Sequence, residues 1–410
     1  MISAGLEQVN RYLWERQGFG RRRAWSEAAP LSAQLGLYGF GPSLYPALLA
    51  RHQDFTFEQA GRELDERRAL VRMDAMRTSL FAVPRPLFAA VHRAFRESVL
   101  ASIDRLLANY GLEPEDYTNT CRRALDCLSR RSLPAAALKK ELQPLSLPAG
   151  EALPRLLARM AAEGLLVRAR TRGSWKSTQF EWALLEDWLP GVDLQAPDPE
   201  QARMEAARLY LAAYGPAAAA DFRWWSGLRA EEAGRTLQAL APETARLEIR
   251  SLTGEYLLLQ EDLEALLSTP EQAPWADGPR VSLLPVWDAY LMAYRQRERY
   301  LEPAWYDRVY DRSGNSAPAI LLDGQVAGVW DLEEERQGLT LKAAFFESPP
   351  PGAWGALRQA AEALGAAVLG AQADPARPLQ VLRCPPPASL AQAPQNRFHH
   401  PLREIPGEPL

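Results

Sequence analysis

The 410-residue sequence predicts an α+β fold, three tandem winged-helix domains followed by a β-rich C-terminal domain. Three observations carry this expectation. Helical patterns followed by two strand-like runs recur three times before residue 270. The middle copy concentrates positive charge, and the last third changes to strand patterns with a single long helix.

In the first copy, Leu6–Gly18 reads as a helix with Leu6, Val9 and Leu13 on one face. Arg21-Arg22-Arg23 follows, then Ser26–Leu37 as a second helix and Phe57–Glu66 as a third. Leu70–Met73 and Thr78–Val83 are the wing strands, with Arg72 and Arg77 adding charge. After Pro84 and Pro86, Leu87–Tyr110 is a long amphipathic connecting helix, so this domain is assigned residues 1–118.

The second copy occupies 119–190. Cys121–Arg130, Ser132–Leu142 and Ala149–Glu163 are its helices, the last with Ala152, Leu156, Leu157 and Met160 on one stripe. Gly164 supplies the stop. Leu165–Arg172 and Ser174–Leu185 form a hairpin around Arg172-Gly173-Ser174. Three helices and a hairpin make a winged helix, whose third helix enters the major groove of DNA. Residues 121–180 hold twelve Arg and Lys against four Asp and Glu, net +8 in a chain of net −4. Arg168, Arg170 and Arg172 alternate along the first wing strand and so fall on one face, with Ser174 and Lys176 beside them. A solvated strand face is the bland alternative; a phosphate-binding surface is the reading that the local excess of charge favours.

The third copy, 198–270, follows a Pro- and Asp-rich linker. Its helices are Gln201–Tyr214, Ala217–Trp225 and Arg229–Leu240, and its hairpin joins Leu247–Arg250 to Glu255–Gln260 around Thr253-Gly254. It is more acidic, which fits packing or positioning rather than phosphate contact. Trp224-Trp225 reads either as a stacking platform for a base or as core anchors of the second helix. In 275–390, Val281–Tyr290, Ala317–Leu322, Gln325–Asp331, Leu339–Phe346 and Leu379–Arg383 are strand-like, Trp354–Leu369 is helical, and Asp323-Gly324 is a hairpin signal. Residues 391–410 read as a loose polar tail, with His399-His400 solvated.

No run approaches the roughly 20 apolar residues that cross a bilayer, and the first residues lack the apolar core of a signal peptide, so the expected compartment is the cytoplasm. Cys121, Cys127 and Cys384 are too scattered for disulfides or zinc; the two on one helix read as small core residues. Neither metal nor cofactor is expected.

Several phrases taken together resemble the tandem winged-helix DNA glycosylases of the AlkZ type, the YcaQ-like family. They are Gly173-Ser174-Trp175-Lys176-Ser177; Tyr210-Leu211-Ala212-Ala213-Tyr214-Gly215-Pro216 continuing to Asp221-Phe222-Arg223-Trp224-Trp225-Ser226-Gly227; Leu283-Leu284-Pro285 with Asp288 and Tyr290; and Asp323 to Trp330. The resemblance implies three winged helices and a barrel-like domain around duplex DNA, acting on N7-alkylated purines and on crosslinks through them. The family's Gln-x-Gln or Gln-x-Asp motif, which holds the water and stabilises the sugar cation, aligns with Tyr38 and Phe40 in Leu37-Tyr38-Gly39-Phe40-Gly41-Pro42. Neither replaces an amide or a carboxylate: Phe40 has no hydrogen-bonding group and a phenol is a poor base. Arg77-Thr78-Ser79-Leu80-Phe81 resembles the family's Arg-Gly-Thr-Leu-His phrase without its glycine and histidine.

The expected function is binding of duplex DNA, alkylated or crosslinked, by a monomer in DNA repair. If the protein is an enzyme, it is a glycosylase acting through positioning and preorganised charge. The alternatives are a non-catalytic lesion sensor, a transcription regulator, which should be a symmetric dimer, and a protein-binding scaffold, against which the Arg-rich wing argues.

Overall fold

The computed structural model describes residues 2–19, 23–24, 35–53, 55–111, 114–142, 152–271, 275, 278–335, 338–370, 379–391 and 399–410. The first domain contains β1 (Ile2–Ala4), α1 (Leu6–Arg16), β2 (Arg23–Ala24), β3 (Leu37–Tyr38), α2 (Gly41–Arg51) and β4 (His52–Gln53). It continues with α3 (Phe57–Asp65), the wing strands β5 (Leu70–Asp74) and β6 (Leu80–Pro84), and the connecting helix α4 (Phe88–Leu107). The expected helix at Ser26–Leu37 falls mostly outside the described residues, and its end, Leu37, is strand. The helix that was not expected is α2. Pro42 sits in its first turn and Pro46 inside it, and almost every one of its residues is buried. A helix apolar all round is a core helix, without the stripe that reveals a surface one.

The second domain has α5 (Pro114–Leu128), β7 (Leu133–Pro134), α6 (Ala135–Glu141), α7 (Ala152–Ala162), β8 (Leu166–Thr171), β9 (Phe180–Leu184) and α8 (Leu185–Trp188). It packs a small core of its own, in which Leu128, Leu138, Leu157, Met160 and Trp182 meet; Cys121 and Cys127 lie half-buried against it. The wings of the first two domains are not separate. They merge into one six-stranded sheet, ordered β3-β6-β5-β8-β9-β7, joined where Arg72 faces Arg168.

In the third domain α9 (Pro199–Tyr214) begins at Asp198, whose carboxylate accepts the amides of Glu200 and Gln201. Next come α10 (Ala219–Ser226), closed by left-handed Gly227, then α11 (Ala230–Ala239), β10 (Thr244–Ile249), β11 (Tyr256–Leu259) and α12 (Leu263–Ser268). Its hairpin takes β1 as a third, parallel strand. Trp225 is buried among Phe95, Tyr210 and Phe222, so this half of the Trp pair is a core anchor.

The last domain holds β12 (Val281–Leu284), α13 (Tyr306–Val309), β13 (Ala319–Leu322), β14 (Gln325–Glu335), β15 (Gly338–Phe345), α14 (Ala353–Leu369), β16 (Leu379–Arg383) and β17 (Glu408–Pro409). Asp323 and Gly324 both have positive φ, which matches the β13–β14 hairpin turn. The six strands lie in sequence order with edges at β12 and β17, so the sheet is open; the barrel-like closure is corrected to an open sheet with α14 crossing between parallel β15 and β16. The tail is not loose where it is described. Glu408 pairs with Arg383 across β17 and β16, and His400 Nδ1 lies 2.8 Å from Asp331. The first domain joins the last through a buried bidentate pair, in which Arg51 donates to both Asp288 oxygens at 2.9 and 2.8 Å. No helix of the described residues is long and apolar enough to cross a membrane.

Candidate functional site

Where β3, β5 and β6 end, the two merged wings and the last domain enclose a cavity of about 760 Å³. Its position is set by a tightly pinched segment. Gly39 donates its amide to the Leu80 carbonyl at 2.8 Å, and a Cβ on Gly39 would sit 3.0 Å from the Phe81 backbone. The next glycine, Gly41, lies under the Trp175 carbonyl with no room for a side chain. Tyr38 and Phe40 flank Gly39, and both line the cavity.

The wall is aromatic. Tyr38 packs on Phe81 at 4.6 Å; Phe40 lies 5.8 Å from Trp287 and 6.4 Å from Phe180. Trp182 completes this lining. Such a wall suits a planar heteroaromatic ring, because every base has a π-face to stack. The tyrosine hydroxyl accepts a hydrogen bond from Arg77 Nη2 at 2.9 Å.

The floor is a strained turn. Between β5 and β6, Arg77 and Thr78 both take left-handed φ values, 53° and 57°. For a β-branched threonine this is an outlier that costs on the order of 1–3 kcal/mol. The third winged helix holds the turn. Gly227 approaches so closely that an added Cβ would meet the Arg77 amide at 3.0 Å, and the Arg77 guanidinium lies 3.8 Å over Trp224. Trp224 is thus an arm under Arg77. The reading of Trp224-Trp225 as a base-stacking platform gives way to core anchoring by one and support of Arg77 by the other.

Two more charged groups face the cavity, Asp74 and Arg168, ion-paired at 2.8 Å. Arg168 also lies 4.9 Å over Trp182. The other expected DNA-binding residues divide. Arg72 is 2% exposed: it donates to the Gly39 carbonyl and to Thr171 Oγ1 and faces Phe180, so it is corrected from a DNA contact to a bracket of the sheet. Burial pushes its pKa down and pushes that of its neighbour Asp65 up.

The common face of Arg168, Arg170 and Arg172 is also corrected. A bulge between Arg168 and Thr171 breaks the alternation. Arg168 shares the cavity with Trp182, whereas Arg170 lies in a separate cleft with Arg130, Arg131, Ala183 and Asp187. Arg172 is exposed and pairs with Glu181 at 3.1 Å. Ser174 is exposed at the wing tip and accepts the Lys176 amide at 3.4 Å. Lys176 reaches Glu334 at 3.3 Å, and Trp175 packs 4.9 Å from Phe57, so the tip docks on the first and last domains. Asp74 and Trp287 were missed by sequence reasoning. Nothing local marks Trp287, and Asp74, three residues ahead of Arg77, is a lone carboxylate at a strand end. Among the described residues no three His, Cys, Asp or Glu side chains gather as a metal site.

Winged helices that share a sheet, wrapped about an aromatic cavity with cations at its edge, define a tandem winged-helix DNA-binding protein. The chain belongs to the AlkZ-like DNA glycosylase family, a family of DNA repair, whose model matches residues 32–367. The fold is that of the solved Streptomyces sahachiroi DNA glycosylase AlkZ, with a TM-score of 0.72 and 20% identity, covering 93% of this chain and 100% of that one. An interstrand DNA cross-link repair glycosylase from Streptomyces sahachiroi is 27% identical over 146 residues, 35% of this chain. The match spans 38% of that relative's length.

Proposed function

We propose that this protein binds double-stranded DNA as a monomer and receives an N7-alkylated purine in the cavity, where the bond from base to sugar is hydrolysed. The observation that carries this reading is the convergence of Tyr38, Phe40 and Arg77 on one aromatic-walled cavity. Tyr38 and Phe40 hold the family's motif positions, and Arg77 opens the phrase that resembles the family's Arg-Gly-Thr-Leu-His. An alkylated purine carries a positive charge and leaves as a neutral base, so stacking and positioning lower much of the barrier. The exposed Arg170 and Arg172 and the cleft with Arg130 and Arg131 supply phosphate contacts on the outer side of the wing.

A second reading, a non-catalytic lesion-binding protein, is favoured by one observation: the Tyr38 hydroxyl is already taken by Arg77, and Phe40 offers no polar atom. Single-turnover incubation with a duplex carrying one N7-methylguanine, followed by alkaline cleavage at abasic sites, separates the two. Strand cleavage above the protein-free control supports the glycosylase. An intact strand bound by the same sample in a salt-sensitive way supports the non-catalytic protein.

A further inference from the structure

We propose that Asp74 is the catalytic carboxylate of this cavity, taking the place of the polar side chains that positions 38 and 40 lack; this rests on the glycosylase reading above. Among the described residues that line the cavity, Asp74 is the acidic one. It ends β5, paired with Leu80 of β6, and Leu80 in turn accepts the Gly39 amide. Gly39, Leu80 and Asp74 therefore form one row across three strands. At about 4.8 Å between strands, the Asp74 backbone stands on the order of 10 Å from that of Gly39, with β6 between them. Asp74 and the aromatic Tyr38 and Phe40 nevertheless line the same cavity.

The carboxylate is held as a catalytic group must be. Arg168 Nη1 grips Oδ2 at 2.8 Å, while Oδ1 makes no hydrogen bond to a described residue. The side chain is 8% exposed. Three residues on come the two left-handed residues Arg77 and Thr78, braced by Gly227. Backbone strain of this kind persists only where the surroundings impose it, and it concentrates at working sites. The cavity's other cations are both engaged, Arg168 by Asp74 itself and Arg77 by Tyr38 and Trp224.

The chemistry balances without a further reactant. The C1′–N9 bond breaks and its electron pair goes to N9, cancelling the charge of the alkylated purine. The sugar is left as an oxocarbenium ion, which the Asp74 carboxylate faces. Water adds to C1′ through oxygen, and its proton passes to Asp74 and then to solvent. The products are a neutral alkylpurine and an abasic sugar.

The test compares wild type with Asp74→Asn on the N7-methylguanine duplex, with cleavage rate and equilibrium DNA binding measured separately. The expected result is a fall in single-turnover rate of about 100-fold or more, the scale of lost general-base catalysis, with DNA affinity within about threefold. An Asn variant that cleaves at nearly the wild-type rate overturns the role of Asp74 and leaves the glycosylase reading standing. A wild-type protein that does not cleave overturns both. Should the Asn variant not fold, Asp74→Glu, which keeps the charge that pairs with Arg168, decides. A Glu variant that binds DNA but cleaves about 10-fold more slowly or worse, its carboxylate displaced from the reacting sugar, supports the assignment, and one that cleaves at the wild-type rate overturns it.

Discussion

The second and third winged helices run through the same order of elements and do opposite things. Residues 121–180 carry net +8, whereas 198–270 carry seven Arg against twelve Asp and Glu, net −5. The second domain keeps a core of its own and turns Arg168, Phe180 and Trp182 into the cavity. The third gives its aromatic residues to the main core and pairs its cations internally, as Arg208 does with Glu205 and Glu243 and Arg246 with Glu255. Its hairpin is covered by β1. The difference teaches that the element order of a winged helix does not fix its task. The task follows from where the apolar stripe ends and whether the charges are already answered. The third copy is a buttress that reaches the site through Trp224 and Gly227.

The largest effect should come from breaking that buttress. Trp225→Ala empties a core position shared with Phe95, Tyr210 and Phe222 and should cost about 3–5 kcal/mol in denaturant unfolding. Retention of full stability would show that the third domain is an appendage. A smaller effect separates the second domain through pH. His92 on α4 sits 2.9 Å from the Ala162 carbonyl at the end of α7, and burial lowers its pKa to about 4. The unfolded chain takes up that proton near pH 6.5, so the stability gained from neutral His92 is present above 6.5 and is lost as pH falls toward 4. The full loss is on the order of 3 kcal/mol, and thermal unfolding of His92→Gln should lack this acid-side slope.

The smallest change in stability accompanies the sharpest contrast in binding. Arg170→Ala with Arg172→Ala should reduce the salt dependence of DNA binding by about two ions. Arg235→Ala with Arg246→Ala in the third domain should leave it unchanged. Both double variants should unfold within about 0.5 kcal/mol of wild type. Equal losses of affinity would erase the distinction between the copies.

Much of this contrast was legible in the sequence. The β5–β6 and β10–β11 hairpins, α4, α9 to α11 and α14 follow from apolar spacing and turn residues, and the charge excess of the second domain needs only counting. Three things were not local. The merged sheet depends on one pairing of residues 96 positions apart, Arg72 with Arg168. The buried role of Arg72 follows from that pairing, since a strand arginine looks the same in sequence whether it faces solvent or Phe180. The bulge that sends Arg170 away from Arg168 leaves no mark in Arg168-Ala169-Arg170. Helix α2 was hidden because two prolines and an all-round apolar surface remove the amphipathic period. The aromatic pair Tyr38 and Phe40 was found only by alignment with a motif that it does not match, while Asp74, a single carboxylate at a strand end, carries no signature at all.

The parallel pairing of β1 with β10 has a consequence for how the chain is made. Ile2 faces Leu247 and Ala4 faces Ile249, so this strand has no partner until more than half of the residues that follow it have been synthesised. At about 5–20 residues per second that is a wait on the order of ten seconds to a minute. Asn10, which donates to the Arg299 carbonyl at 2.7 Å, waits longer still. Residues 2–4 are therefore fastened late, and contacts of such sequence separation slow folding. A bulky change within Ile2–Ala4 would burden that late pairing rather than the cavity.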